Sequence, residues 1–267
     1  MADGQAAIRD APRMSERIHS IDRETVGMTF AALQPLADRA ALFVALRQDA
    51  LSAAADALGE HRWDADLAAG TITFTSDADP SRQLVARAHL IATIAPGPRS
   101  LLWAWAHPSG DPQGVAGQLH AYGSEHGITE LTTAEVPFPD GVSGDDAWIA
   151  QAAHTIGGVA VELTGRSPYY SAPVGNGTRA VFLLDAPLAP LTVADAVIAL
   201  PRVLSATALP DARTAVWDLA RLAGWTLTWT DEAFSGATVS DATGTASFRF
   251  DEQARISGIE STLQTQG

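Results

Sequence analysis

One short stretch, residues 101–108, constrains the fold more than any other part of the sequence. It reads Leu-Leu-Trp-Ala-Trp-Ala-His-Pro, so large and small apolar side chains alternate. Such alternation predicts a β-strand with Trp103 and Trp105 on one face and alanines on the other. Each tryptophan buries about 150–250 Å², so this strand must lie against a substantial core. Pro108 has no N–H to donate to a neighbouring strand and is expected to end it.

Further strands are predicted on the N-terminal side of this stretch. In residues 71–75 and 84–94 apolar side chains occupy every second position, as expected for strands with one face turned to a core. A turn rich in Asp and Pro separates the two stretches. A Pro-Gly-Pro turn at 96–98 then joins them to the tryptophan-containing stretch. Three successive strands with short connections predict an antiparallel meander.

Helical spacing of apolar residues predicts three helices around this meander. They run from about 30 to 58, from about 112 to 127, and from about 145 to the glycine pair Gly157 and Gly158. Because glycine is a common helix stop, we place the end of the third helix at this pair. The apolar residues 159–164 are then predicted to form a strand.

Prolines divide the sequence into two folded units. Residues 1–28 are a polar tail, residues 29–185 form the larger unit, and a proline-containing linker leads to a smaller unit at 191–267. The smaller unit is predicted to contain two helices followed by four short strands. The predicted fold class is therefore α+β, with antiparallel sheets and helices packed on one face.

The smaller unit contains many large aromatic side chains for its length. It contains three tryptophans, Trp217, Trp225 and Trp229. A unit of this size can bury only a modest core. We therefore expect some of these side chains to face the larger unit, so that the two units are packed together.

Composition excludes several classes of function. The net charge is −14, which argues against a nucleic-acid partner because phosphate binding needs clustered basic residues. All 17 basic residues are Arg, which excludes lysine Schiff bases and, with the abundant alanine, suggests a GC-rich bacterial genome. There is no Cys, which excludes disulfides, thiol nucleophiles and cysteine–zinc sites. We expect a cytoplasmic protein, since neither a secretory signal nor a membrane span is evident. We also expect no cofactor.

Three motifs resemble an uncharacterised bacterial domain family of unknown function. They are Trp63-Asp64-x-Asp66-Leu67, Leu102-Trp103-Ala104-Trp105-Ala106-x-Pro108 and Tyr122-Gly123-x-Glu125-His126-Gly127. His107 stands where that family more commonly has Asn, and Ser124 separates Gly123 from Glu125. The resemblance covers about residues 35–185. Because the family has no established activity, the resemblance implies no catalytic residues.

The candidate binding residues are aromatic side chains and one arginine. Arg166, Tyr169 and Tyr170 lie in a polar stretch that we interpret as an exposed loop. Tyr and Arg are enriched at binding hot spots, so this loop is the first candidate for an interaction site. Trp103 and Trp105 either line a ligand groove or pack in the core.

Three histidines within twenty residues of each other raise the question of a metal site. They are His107, His120 and His126. His120 and His126 are six residues apart, whereas two ligands on one helical face are three or four apart. We therefore predict no bound metal.

Two functions from different classes remain open. The preferred hypothesis is a non-enzymatic binding or interaction protein, of the inhibitor or immunity type, whose acidic surface meets a basic protein partner. The alternative is a hydrolase-like enzyme that uses Asp64, Asp66 or Glu125 together with His126 as acid and base. A pocket that gathers these side chains within hydrogen-bonding reach would favour the enzyme.

Overall fold

The computed structural model describes residues 30–66, 69–108 and 110–264. In these residues it contains six helices and two antiparallel sheets, which confirms the α+β fold class. The predicted polar tail, residues 1–28, lies outside the described residues. None of the helices in the described part is long and apolar enough to cross a membrane.

The N-terminal part of the chain forms a seven-stranded sheet and four helices. The strands are β1 His61–Asp66, β2 Thr71–Ser76, β3 Gln83–Ala95, β4 Ser100–Trp103, β5 Glu135–Pro137, β6 Tyr169–Gly175 and β7 Thr178–Asp185. The helices are α1 Gln34–Asp56, α2 Val115–His126, α3 Thr129–Thr132 and α4 Asp146–Thr164.

The C-terminal part forms two helices and a second sheet. Its elements are α5 Val193–Ala206, α6 Ala212–Ala223, β8 Thr226–Trp229, β9 Gly236–Asp241, β10 Gly244–Phe250 and β11 Ile256–Leu263. The strands form a meander in the order β11-β10-β9-β8. One continuous apolar cluster runs from α1 and α4 into α5, α6 and this sheet. We name residues 191–267 the C-terminal unit.

Strand β3 is the centre of the larger sheet because it is long enough to pair with three other strands. Arg87 pairs with both Thr71 of β2 and Asp185 of β7, so β2 and β7 lie on opposite edges of β3. Ala92, further along, pairs with β4 and with β7 in the same way. Strands β2 and β4 therefore share one edge of β3 and follow each other along it.

The larger sheet is strongly curled. Trp63 of β1 and Tyr170 of β6 belong to the two ends of the path β1-β2-β3-β7-β6, yet their ring centroids are 5.8 Å apart. The concave face encloses a second apolar cluster, to which α1 contributes Leu51 and the turn after α1 contributes Leu58. On the other face Val181 and Leu183 join the main core with α4.

The tryptophan-containing stretch is a shorter strand than the sequence predicted. Strand β4 ends at Trp103, and residues 104–106 form a turn in which the Ala106 N–H donates to the Trp103 carbonyl. The Trp103 side chain is fully buried, and its indole N–H donates to the Glu130 carbonyl at 2.7 Å. Trp105 is only half-buried, with its ring 4.4 Å from that of His120 on α2. The turn therefore gives the two tryptophans different environments.

Helix α4 is longer than predicted, and residues 159–164 are helical rather than a strand. A Cβ on Gly157 would lie 2.5 Å from the Tyr169 ring, and one on Gly158 would lie 3.3 Å from Ala37 on α1. These glycines allow α4 to approach β6 and α1 closely, and they do not stop the helix. Gly165 ends it, in the left-handed conformation with φ of 68°.

Candidate functional site

A cleft opens at the edge of β3 that β2 and β4 share. Strand β2 pairs with this edge of β3 as far as Arg87, and the pairing of β3 with β4 begins at Ala92. Residues 110–116, which lead into α2, lie across the gap and enclose a cavity of about 160 Å³. Phe182 of β7 and Ile72 of β2 provide apolar walls. The cleft thus lies where the sheet changes from one neighbouring strand to the next.

Local sequence positions the walls of the cleft. The carboxylate of Asp66, at the end of β1, accepts a hydrogen bond from the Ala69 N–H, and that of Asp111 accepts one from the Gln113 N–H. A Cβ on Gly110 would lie 1.7 Å from the Ala104 carbonyl oxygen, so no other residue fits there. This close approach fixes the segment that carries Asp111 against the turn after β4.

The third polar side chain of the cleft is His89, which projects from β3. Its Nε2 lies 2.9 Å from Asp185 Oδ2, and Arg166 Nη1 donates to Asp185 Oδ1 at 2.7 Å. Partial burial would raise the pKa of Asp185, but the hydrogen bonds from His89 and Arg166 outweigh it and hold this pKa below its usual value. Asp185 is therefore ionised at neutral pH and fixes the orientation of the imidazole.

The two remaining carboxylates give the cleft its charge. Asp66 and Asp111 line it from different walls, and both residues are exposed to solvent. Each uses one oxygen to cap a turn, and its charge remains at the surface of a protein whose net charge is −14. This arrangement suits a positively charged group better than an anion.

The predicted binding residues do not form one surface. The stretch with Tyr169 and Tyr170 is strand β6 and not an exposed loop, which corrects the sequence interpretation. Tyr169 is 3% exposed and Trp103 is 0% exposed, so neither offers surface to a ligand in this conformation. Arg166 belongs to the Asp185 ion pair beside the cleft.

Packing explains the positions of the two tyrosines. The hydroxyl of Tyr169 meets Nδ1 of His154 on α4, and its backbone N–H donates to Gln48 on α1 at 3.1 Å. The Tyr170 ring packs edge-on against Phe74 at 5.2 Å, inside the concave face of the sheet. Tyr169 therefore holds the sheet to helices α4 and α1, whereas Tyr170 joins strands across the concave face.

The side chains proposed for hydrolysis are not brought together. Asp64 and Asp66 share the exposed face of β1, as their spacing indicated. Glu125 and His126 lie at the last turn of α2, whereas the cleft with Asp66 lies at its first turn. A helix of 12 residues is about 18 Å long, so Asp66 cannot act on one bond together with His126.

Two of the histidines near α2 pack against aromatic side chains. The His126 ring stacks on Tyr122 with centroids 3.9 Å apart, and His120 packs on Trp105. Within residues 30–66, 69–108 and 110–264, no group of three or more potential ligand side chains could hold a metal ion.

The curled antiparallel sheet, the helices α1 to α4 and the cleft at the sheet edge all lie within residues 34–187. The chain belongs to the family of unknown function DUF6882, whose model matches residues 34–187. This confirms the resemblance that the sequence motifs indicated. No curated protein and no solved structure matches the chain. The cleft lies entirely inside the matched region, and the C-terminal unit, residues 191–267, lies wholly outside it.

Sequence reasoning did not find His89 or Asp185 as members of a site. A signal for His89 was present, because Val85, Arg87 and His89 occupy the alternate positions of β3 that do not face the second core. A charged or polar side chain at such a position is available to a partner at the sheet surface. Asp185 is the last residue of the larger predicted unit, and its partners His89 and Arg166 become visible only in the folded sheet.

Proposed function

We propose that this protein is a non-enzymatic binding protein that recognises a basic segment of a protein partner at the cleft beside β3. The observation that carries the proposal is the convergence of Asp66, Asp111 and the oriented His89 around one cavity. A guanidinium or ammonium group there would meet two carboxylates beside the imidazole ring.

The size of the cleft supports a single side chain as the group that enters it. Pockets for drug-sized ligands or cofactors measure about 300–1,000 Å³, whereas this cavity measures about 160 Å³. Phe182 and Ile72 can contact the aliphatic part of an Arg or Lys side chain while its charged end lies between the carboxylates.

The overall charge supports the same choice of partner. A net charge of −14 accelerates the encounter with a basic surface and disfavours acidic partners. We therefore expect binding to weaken as the salt concentration rises, mainly through a slower association rate.

The hydrolase alternative has less support, because Asp66 and His126 lie near opposite ends of α2 and neither Glu125 nor His126 lines the cleft. A binding role needs only charge and shape at the cleft. We therefore place binding ahead of catalysis.

The test is a selection of peptides from a random display library on the immobilised full chain. We expect enrichment of sequences with Arg or Lys, and at least tenfold weaker binding of a selected peptide to an Asp66→Asn, Asp111→Asn variant. Asparagine keeps the oxygen that accepts the turn hydrogen bond at each position, so only the charge is removed.

The matched control is a Glu232→Gln, Glu252→Gln variant, which changes the net charge equally in exposed loops of the C-terminal unit. Selected peptides should bind this control within about twofold of the wild type, since charges that distant are largely screened. Equal weakening in both variants would show a non-specific charge effect. No enrichment of basic peptides would contradict the proposal.

A further inference from the structure

We call residues 34–187, which the family model matches, the family domain. Four charged side chains meet where this domain contacts the C-terminal unit. Arg39 lies on α1 and Glu162 on α4, both inside the family match, whereas Asp218 and Arg221 lie on α6, outside it. The Glu162 side chain is 6% exposed and that of Asp218 is 0% exposed. Two carboxyl groups are thus buried at a junction between two parts of the chain.

The arginines are arranged around these carboxyl groups. Arg221 donates from Nε to Asp218 Oδ1 at 2.6 Å and from Nη2 to Glu162 Oε2 at 2.7 Å. Arg39 Nη2 lies 2.9 Å from Glu162 Oε1. Asp218 Oδ2 is buried with no hydrogen-bond partner. One carboxylate oxygen of the junction therefore lacks a donor.

We propose that Glu162 carries a proton and donates it in a hydrogen bond to Asp218 across this junction, and that this proton controls how firmly the C-terminal unit is docked on the family domain. A proton on Glu162 makes it a donor to the neighbouring Asp218. Without the proton, two buried carboxylates face each other and only the two arginines compensate their charge. This inference does not depend on the proposed function of the cleft.

The electrostatics of the junction agree with this arrangement. Burial raises the pKa of Glu162, and the hydrogen bond to Asp218 and its negative charge raise it further. Arg221 and Arg39 act in the opposite direction, and the resulting pKa is about 7. Glu162 therefore titrates close to neutral pH, where a modest change alters its protonation.

The direction of the pH effect follows from proton linkage. The pKa of an ordinary Glu is 4.5, so between this value and about 7 the docked state binds the proton more tightly than the undocked state. Docking is therefore firmest below pH 4.5 and weakens as the pH rises through 7. Linkage to one proton changes the opening equilibrium by at most about tenfold per pH unit.

The first measurement is an NMR titration of the side-chain carboxyl carbons in the full chain labelled at glutamate. We expect one glutamate to titrate near pH 7 and to disappear from the spectrum of a Glu162→Gln variant. In an Asp218→Asn variant, loss of the neighbouring charge should lower the Glu162 midpoint by at least one pH unit. If every glutamate of the wild type titrates below pH 5.5, the proposal is wrong.

The second measurement is amide hydrogen exchange in α6, corrected for the intrinsic effect of pH. From pH 5.5 to 7.5 we expect wild-type opening to increase by at least tenfold, and Glu162→Gln opening to change less than threefold because glutamine keeps a donor and cannot titrate. The matched control is Asp49→Asn, which breaks the more exposed Asp49–Arg202 pair between α1 and α5. This control should keep the wild-type pH dependence. Parallel curves for the wild type and Glu162→Gln would overturn the proposal.

Discussion

The cleft and the junction use the same chemical groups in opposite environments. At the cleft, Asp66 and Asp111 are exposed, each caps a turn, and their charge faces solvent. At the junction, Glu162 and Asp218 are buried beside Arg221. Because desolvation penalises a charge only where water is excluded, the first pair can attract a partner and the second pair can hold a proton.

The two regions also differ in how their geometry arises. Both aspartates of the cleft bond to backbone N–H groups two or three residues away, so short sequence segments place them. The junction carboxyls belong to helices α4 and α6, which meet only when the C-terminal unit packs on the family domain. Substitutions should therefore affect stability strongly at the junction and weakly at the cleft.

The largest effect is expected from Arg221→Met. This change removes the guanidinium that bridges Glu162 and Asp218 and leaves the fully buried Asp218 without its arginine partner, whereas Glu162 keeps Arg39. We expect the free energy of unfolding to fall by about 3 kcal/mol, measured by denaturant titration. Arg249→Met is the control, because its partner Glu260 is 70% exposed, and it should lose at most about 1 kcal/mol. Equal losses would remove the contrast between buried and exposed pairs.

The pH dependence of stability is expected to show the next largest effect. Since the pKa of Glu162 is about 7 in the folded state and 4.5 ordinarily, its stabilisation is complete below pH 4.5 and is lost as the pH rises through 7. The stability of Glu162→Gln relative to the wild type should increase by about 2–3 kcal/mol from pH 4.5 to 8, as about 1.4 kcal/mol corresponds to each pKa unit. Chemical unfolding of both proteins at five pH values measures this difference. A difference that stays constant with pH would contradict the assignment.

A smaller effect is expected from Arg166→Met, beside the cleft. Both members of the Arg166–Asp185 pair are about 40% exposed, so its loss should lower the free energy of unfolding by less than about 1 kcal/mol. Thermal unfolding of the Arg166→Met and Arg221→Met variants measures which of the two substitutions destabilises the protein more. A loss as large as that of Arg221→Met would mean that Asp185 has a structural role similar to that of the junction carboxyls.

The smallest effect on stability is expected from the Asp66→Asn, Asp111→Asn variant. Both turns keep their hydrogen-bond acceptor, and the lost charges are exposed, so the free energy of unfolding should change by less than about 0.5 kcal/mol. A denaturant midpoint within error of the wild type is the expected result. Destabilisation by more than about 1 kcal/mol would show that these carboxylates stabilise the fold and would weaken their interpretation as recognition groups.

Helix α4 illustrates where sequence reasoning failed. The pair Gly157-Gly158 followed by apolar residues was interpreted as a helix end and a strand, because local rules place glycine after helices. In the structure these glycines lie where Tyr169 and Ala37 approach the helix too closely for a side chain. Only the partners of a glycine decide between the two interpretations, and those partners lie on β6 and α1.

Trp105 illustrates a different limit. Its alternation with Trp103 predicted a shared strand face, and Trp103 is indeed at the core. The strand ends at Trp103 itself, because the N–H groups of Ala106 and His107 donate to the carbonyls of Trp103 and Ala104 in a turn. Alternation alone does not show where a strand of small residues leaves its sheet.

The sequence by itself determined the α+β class and the family, because these depend on local patterns and composition. The approximate start of the third helix, near residue 145, was local as well: the Asp145 carboxylate accepts from the Trp148 N–H three residues away. Tertiary structure alone decided the curl of the sheet, the cleft beside β3 and the meeting of Glu162 with Asp218. These features join segments that lie far apart in the chain, and their energies depend on burial, which no local pattern specifies.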